Sequence, residues 1–284
     1  MKIQKNTPVI VSRVVLIGLL LFFAALDAFS QVAQIRDKLL NTDELLVVAH
    51  RAAHQRFPEN SLQAIQEAID LGVDLVEIDV RVTTDGIVYL IHDQTTDRTT
   101  TGSGDIEKMS SAELQNLTLV FEGKDSGLAI PTLAEALALT KGKIMVDLDM
   151  KTEKVEEVIE VVKEMDVLDE VIFFDSDWQV LREIRAKLPE AFLMPRLYKT
   201  NEIRKAYRKL TPVVVHIDPG FNTPKTMLKA QKFGLRTWIN SLGALDNELR
   251  VNPDSPLSHK LLEYGASMVQ TDLPELWVKL RDER

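Results

Sequence analysis

From residue 45 to the C-terminus, short apolar runs alternate with segments whose apolar residues recur at helical spacing. This alternation constrains the fold more than any other feature, because strands that take turns with helices are built into parallel sheets. The strand-like runs are Leu45–Ala49, Asp74–Val80, Ile87–Ile91, Lys143–Met150, Val171–Phe174, Phe192–Met194, Val213–Ile217, Arg236–Ile239 and Ser267–Gln270. Helical patterns lie between them: one from Leu62 that Ser61 caps and Gly72 stops, then Leu133–Leu139, Lys154–Met165, Trp178–Leu188, Glu202–Leu210, Pro224–Phe233, Ser258–Tyr264 and Pro274–Leu280. A short helix around Ala112–Leu117, capped by Ser110 or Ser111, interrupts the rhythm inside the long stretch after Asp93. The pattern predicts an α/β fold, a (β/α)8 TIM barrel, and residues 31–284 match the ~250 residues typical of one. The strand-like runs outnumber the eight such a barrel needs. The gap from Asp79 to His92 holds a turn at Asp85-Gly86 but no helix, so one βα unit is abbreviated. A doubly wound open sheet is the competing fold, but no Gly-rich phosphate loop follows the first strand.

Charge and cysteine content narrow the function classes. The chain has 34 Lys+Arg against 43 Asp+Glu, a net charge of -9, with no contiguous basic block. Nucleic-acid binding is disfavoured, because it needs a basic stripe that displaces counterions. The chain contains no cysteine, which removes disulfides, thiolate zinc sites, a cysteine nucleophile and a cysteine-borne lipid anchor. Lys2, Lys5 and Arg13 lead into an apolar run from Val14 to Leu26, and Ala28-Phe29-Ser30 follows with small residues at both positions a signal peptidase reads. Residues 1–30 are therefore expected to be a secretory signal cut before Gln31, delivering residues 31–284 to the periplasm or the extracellular space. The alternative is an uncleaved anchor over Val9–Phe29, the only route by which a membrane would be a partner.

Three runs carry the chemistry. His50-Arg51 follows the first apolar run, Glu77 and Asp79 share one face of the second, and His92 follows the third. Neighbouring carboxylates repel, and a cation or proton between them relieves that. Asp147, Asp149 and Lys151 share a face of the fourth run. Glu77, Asp79 and one of Asp147 or Asp149 form an all-oxygen, triply anionic cage suited to a hard divalent cation, Ca2+ or Mg2+. Arg51 and Lys151 beside it make a seat for a phosphate. His50 and His92 then supply a base and an acid for a phosphodiester, one taking a proton from the attacking hydroxyl and the other giving one to the leaving alkoxide.

His50-Arg51, Pro58-Glu59-Asn60, Glu77-Ile78-Asp79-Val80, Thr84-Asp85-Gly86, His92-Asp93, Arg98-Thr99-Thr100, Asp147-Leu148-Asp149-Met150-Lys151, Trp238-Ile239-Asn240 and Thr271-Asp272-Leu273-Pro274 resemble, in order, the motifs of the glycerophosphodiester phosphodiesterase family. The resemblance implies a barrel of the phospholipase-C-like type, a divalent metal on Glu77, Asp79 and an acid of the fourth strand, His50 and His92 as acid and base, and a small-molecule glycerophosphodiester substrate. It implies hydrolysis to sn-glycerol 3-phosphate and an alcohol, with the glycerol 2-hydroxyl attacking first to give a cyclic phosphate that water opens. This chain departs from the pattern twice: Asp149 stands where the family usually has Glu, and Ala52 where it commonly has Gly.

The other residues divide between site and scaffold. Glu59 either meets metal or substrate or ties its loop, and Trp238 either walls the glycerol backbone or packs in the core. Asp147 is expected to order Lys151 or a metal-bound water. His54 reads as a solvated loop residue, His216 as structural and His259 as a surface residue. Two competing functions remain: the same site acting on lysophospholipids, glycerophosphoinositol or another phosphodiester, and a non-catalytic barrel that binds phosphorylated ligands.

Overall fold

The computed structural model describes residues 30–284, so the signal or anchor expected over residues 1–30 lies outside the described residues but for Ser30. Eleven strands occur among them: β1 (Leu46–Ala49), β2 (Leu75–Val82), β3 (Val88–Leu90), β4 (Thr118–Phe121), β5 (Lys124–Ala129), β6 (Met145–Met150), β7 (Val171–Asp175), β8 (Phe192–Pro195), β9 (Val214–Ile217), β10 (Arg236–Asn240) and β11 (Met268–Thr271). Eight of them run parallel in the order β8-β7-β6-β2-β1-β11-β10-β9. The seam between β8 and β9 is joined by a parallel bridge from Arg196 to His216 and by Leu197 N–H donating to His216 C=O at 2.9 Å. The result is a nearly closed (β/α)8 barrel with helices outside it.

Strict alternation along each strand explains the layering. Leu46, Val48, Leu75, Met145, Ile172, Met194, Val214, Trp238 and Met268 form one interior cluster, whereas Val47, Ala49, Val76, Ile78, Val146 and Leu148 join the core shared with the outer helices. The next interior positions toward the strand C-termini are His50, Glu77, Asp79, Asp147, Asp149, Phe174, His216, Asn240 and Gln270, all of which line one cavity. A helix over Gln31–Asn41, which the sequence pattern did not predict, closes the opposite end by adding Val32, Ile35 and Leu39 to the interior cluster. Arg236 pins its last turn by donating to Lys38 C=O at 3.0 Å.

Two expectations are corrected. Ile87–Ile91 is not a barrel strand: β3 folds back antiparallel on β2, pairing Val80 with Leu90, through a turn where Gly86 sits at φ 82°. His92 therefore does not leave the end of a barrel strand. It returns on a hairpin to the level of Asp79, whose C=O accepts from Ile91 N–H at 3.0 Å. The stretch after Asp93 holds, besides the short capped helix over Ser111–Leu114, an antiparallel pair β4–β5 that the sequence reading did not foresee. It covers a satellite cluster of Tyr89, Ile91, Ile106, Leu114, Leu119 and Ile130.

Candidate active site

The first loop is shaped by backbone that side-chain-bearing residues rarely adopt. Arg51 and Ala52 stand at φ 49° and 65°, and Asn60 at φ 59°. Ala52 thus occupies a conformation that favours glycine, and its methyl is buried. The turn aims Arg51 N–H at Glu77 Oε2, 2.8 Å away. Asn60 clamps Asp79 from both sides, donating through Nδ2 to Asp79 Oδ2 at 2.8 Å and accepting Asp79 N–H at 3.2 Å.

Parallel pairing sets Glu77 beside Asp147 and Asp79 beside Asp149. Glu77, Asp79 and Asp149 each bring an oxygen within 4.8 Å of the others. Asp147 lies outside that triad, although its buried Oδ1 has no partner. Burial, reinforced by neighbouring carboxylates, pushes Glu77 and Asp147 well above the usual carboxylate range and Asp149 up to about 6. Lys151 Nζ lies 2.6 Å from Asp149 Oδ2 and 3.4 Å from Asp79 Oδ1, and Arg51 Nε is 3.7 Å from Asp79 Oδ2. Asp79 Oδ1 is buried without a hydrogen-bond donor. Three convergent carboxylates, all oxygen, one with an unspent lone pair, fit a hard divalent cation.

The two histidines share a device. His50 Nδ1 is 2.8 Å from Asp272 Oδ1, and His92 Nδ1 is 2.6 Å from Asp93 Oδ1. A carboxylate accepts only, so each Nδ1 donates and Nε2 is the nitrogen left to a substrate. Each carboxylate is itself held. Asp246, buried in a helix over Ala244–Val251, accepts Asp272 N–H at 2.7 Å and Thr271 Oγ1–H at 3.0 Å. Arg98 donates to both oxygens of Asp93 and to both of Glu59, and Arg51 Nη1 reaches Glu59 Oε1 at 3.0 Å. Burial works to raise Glu59, but Arg98 and Arg51 hold it below the usual range; Arg98 does the same to Asp93. With both oxygens on guanidinium groups, Glu59 is a tie between the first loop and the His92 loop.

His54 is half-buried rather than solvated, with Nδ1 2.8 Å from His50 C=O. Trp238 is fully buried, its indole N–H 3.1 Å from Asn240 Oδ1 and 3.3 Å from Gln270 Oε1, so it forms the cavity floor as well as core. Gln270 passes the contact on, donating to Glu77 Oε2 at 3.1 Å. His216 lines the cavity too, which its sequence surroundings did not announce. Asp93, Arg98, Asp246 and Asp272 had no assigned role in the sequence reading. Three of them, Asp93, Arg98 and Asp272, sit inside quoted motifs, and that membership was the available signal.

Residues 50–238 match the Glycerophosphoryl diester phosphodiesterase family. The chain belongs to that family. Family membership agrees with the motif resemblance and with the barrel. Among its relatives, a glycerophosphodiester phosphodiesterase of Caldanaerobacter subterraneus is 35% identical over 153 residues, a match spanning 51% of this chain and 63% of the relative. A glycerophosphodiester phosphodiesterase of Bacillus subtilis is 25% identical over 270 residues, 87% of this chain and 89% of that one. Among solved structures, an Oleispira antarctica phosphodiesterase in complex with the product sn-glycerol-3-phosphate superposes with a TM-score of 0.73 at 25% identity, covering 84% of this chain and 97% of that one. An Agrobacterium tumefaciens glycerophosphodiester phosphodiesterase shares the fold with a TM-score of 0.73 at 24% identity, covering 83% and 99%.

Proposed function

We propose that the chain is an exported, divalent-metal-dependent phosphodiesterase that hydrolyses glycerophosphodiesters to sn-glycerol 3-phosphate and an alcohol, with His50 and His92 as its paired base and acid. The observation that carries this reading is the matched pair of imidazoles, each with Nδ1 on a carboxylate and both at the cavity that holds the acidic triad. A ring held in this way takes a proton at Nε2 when neutral and gives one from Nε2 when charged, the two tasks a phosphodiester cleavage sets. The product-bound Oleispira antarctica relative supports the substrate class.

Glu77, Asp79 and Asp149 would hold the cation, Ca2+ or Mg2+, which would supply positive charge to offset the negative charge on the phosphoryl oxygens. Lys151 and Arg51 place positive charge at the same edge of the triad, where they bind the phosphate. One imidazole accepts the proton of the glycerol 2-hydroxyl, and the other protonates the departing alkoxide. Asp272 and Asp93 stabilise whichever ring is protonated.

Export rests on the positive lead, apolar run and Ala28-Phe29-Ser30 of the N-terminus. A cut before Gln31 removes Ser30, whose side chain accepts Ala33 N–H as the cap of the first described helix. Mass spectrometry of the exported chain checks this by whether its N-terminus is Gln31.

The activity is tested by incubating the purified protein with glycerophosphodiesters in Ca2+, in Mg2+ and in EDTA and measuring sn-glycerol 3-phosphate. Release with a divalent ion and none in EDTA is expected. Absence of release with every ion and every head group overturns the reading.

A further inference from the structure

His50, His92 and the acidic triad occupy one side of the barrel mouth. Across from the acidic strands β2 and β6, strands β8, β9 and β10 bring Arg196, His216 and Asn240 to the same cavity of about 150 Å³. Hydrogen bonds fix the protonation of this cluster. Trp238 Nε1 can only donate, so the Asn240 atom 3.1 Å from it is the amide oxygen. The same oxygen is 3.0 Å from His216 Nε2, so His216 donates there and Nδ1 keeps its lone pair while the ring is neutral. Burial pushes His216 down to about 4, and the ring is neutral near pH 7.

Two polar atoms of the cluster are unspent. His216 Nδ1 is buried without a donor, and Arg196 Nε is buried without an acceptor. Arg196 commits Nη2 to Asp218 Oδ1 at 2.5 Å, and its guanidinium lies 5.7 Å from the centre of the Tyr198 ring. The two residues are bridge partners across the seam that closes the barrel. A buried acceptor and a buried donor on bridge-partner residues of one cavity are costly to leave unmatched, and a hydroxyl, which donates and accepts at once, can satisfy both. A quaternary ammonium satisfies neither and meets the guanidinium charge.

We propose that Arg196 and His216 form the seat of the leaving alcohol and select hydroxyl-bearing, polyol head groups. This rests on the phosphodiesterase reading: Arg51, Lys151 and a cation on the acidic triad would hold the phosphate on the β1, β2 and β6 side of the mouth, so the departing arm falls to strands β8–β10. Its hydroxyl donates to His216 Nδ1 and accepts from Arg196.

Three diesters that differ only in the leaving arm test it: glycerophosphoglycerol, its analogue with 1-propanol, and glycerophosphocholine. Each is assayed by sn-glycerol 3-phosphate release with saturating divalent ion. In the wild type, kcat/KM for the glycerol arm should exceed that for the propanol and choline arms by about tenfold or more. His216→Leu should bring the glycerol-to-propanol ratio down to about one, and His216→Gln, which keeps an acceptor, should restore part of it; a loss of folding alone does not move that ratio. Equal kcat/KM on the three arms, or a ratio that survives His216→Leu, overturns the seat and leaves the activity standing. No release from any of the three removes the activity and the seat with it.

Discussion

His50 and Asp272 lie 222 residues apart in sequence and 2.8 Å apart in space, imidazole Nδ1 to carboxylate Oδ1. Burial works to raise the Asp272 carboxyl, but His50, with His54 and Arg51, outweighs it and holds the group below the usual range, so it stays a charged acceptor. Asp272→Asn keeps the shape and reverses the hydrogen-bond sense, because the amide can present N–H to Nδ1 and drive the ring proton to Nε2. The variant is expected to fold normally by circular dichroism and to lose about 10²-fold in kcat. A loss under threefold would remove Asp272 from the machinery.

The acidic triad predicts a pH effect of definite sign. Asp149 is pushed up to about 6, first by burial and then by Asp79, with Lys151 pulling the other way. A carboxyl with a raised folded pKa contributes stability below its unfolded value near 3.9, and that stability is lost as pH rises through about 6. His216, held at about 4 against an unfolded 6.5, acts in the opposite sense over the same window. The comparison is therefore made against a variant. In EDTA, the melting temperature of Asp149→Asn should gain on the wild type between pH 5 and pH 7. Divalent ion should cancel the gain, by stabilising the wild type alone. A difference that is flat with pH in EDTA contradicts the electrostatic account.

Asn60 joins backbone strain to the placement of Asp79. Asn60→Ala deletes two buried hydrogen bonds to Asp79 and leaves an alanine at φ 59°. At about 1 kcal/mol for each bond and about 1 kcal/mol for the left-handed backbone, the expected loss is about 3 kcal/mol in denaturant unfolding. Divalent-ion affinity, read by calorimetry, should fall with it, since Asp79 Oδ2 is freed to rotate. Unchanged affinity would mean that the clamp is purely structural.

The barrel and the acidic triad were legible in the sequence because both follow from local rules. Alternation along Asp74–Val80 and Lys143–Met150 puts Glu77, Asp79, Asp147 and Asp149 on one face, and parallel pairing does the rest. His92 was identified with the wrong geometry, because a strand that folds back and a strand that crosses over have the same local pattern; only the Asp85-Gly86 turn separates them. The helix over Ala244–Val251 was missed because its cap is Gly243 at φ 76°, without a side-chain acceptor, and with it went Asp246 and the support of Asp272. Arg196 and His216 were invisible for a different reason. They meet only across the seam between β8 and β9, a pairing that depends on the barrel closing. Alternation alone does not separate Asp147 from Asp149, since both face inward; the expectation that Asp147 stands behind the triad agrees with the spacing of the oxygens, which groups Asp149 with Glu77 and Asp79.

The division of labour between His50 and His92 is the centre of the account, and leaving-group chemistry tests it most directly. Wild type, His50→Ala and His92→Ala are compared on an ordinary glycerophosphodiester and on one whose leaving group is p-nitrophenol, which departs without a proton. Both variants should lose about 10²–10⁴-fold on the ordinary substrate, and one of them should recover most of that loss on the nitrophenyl ester while the other does not. The recovering variant identifies the acid. Equal impairment on both substrates, or no impairment on either, would contradict the assignment of the two histidines as acid and base.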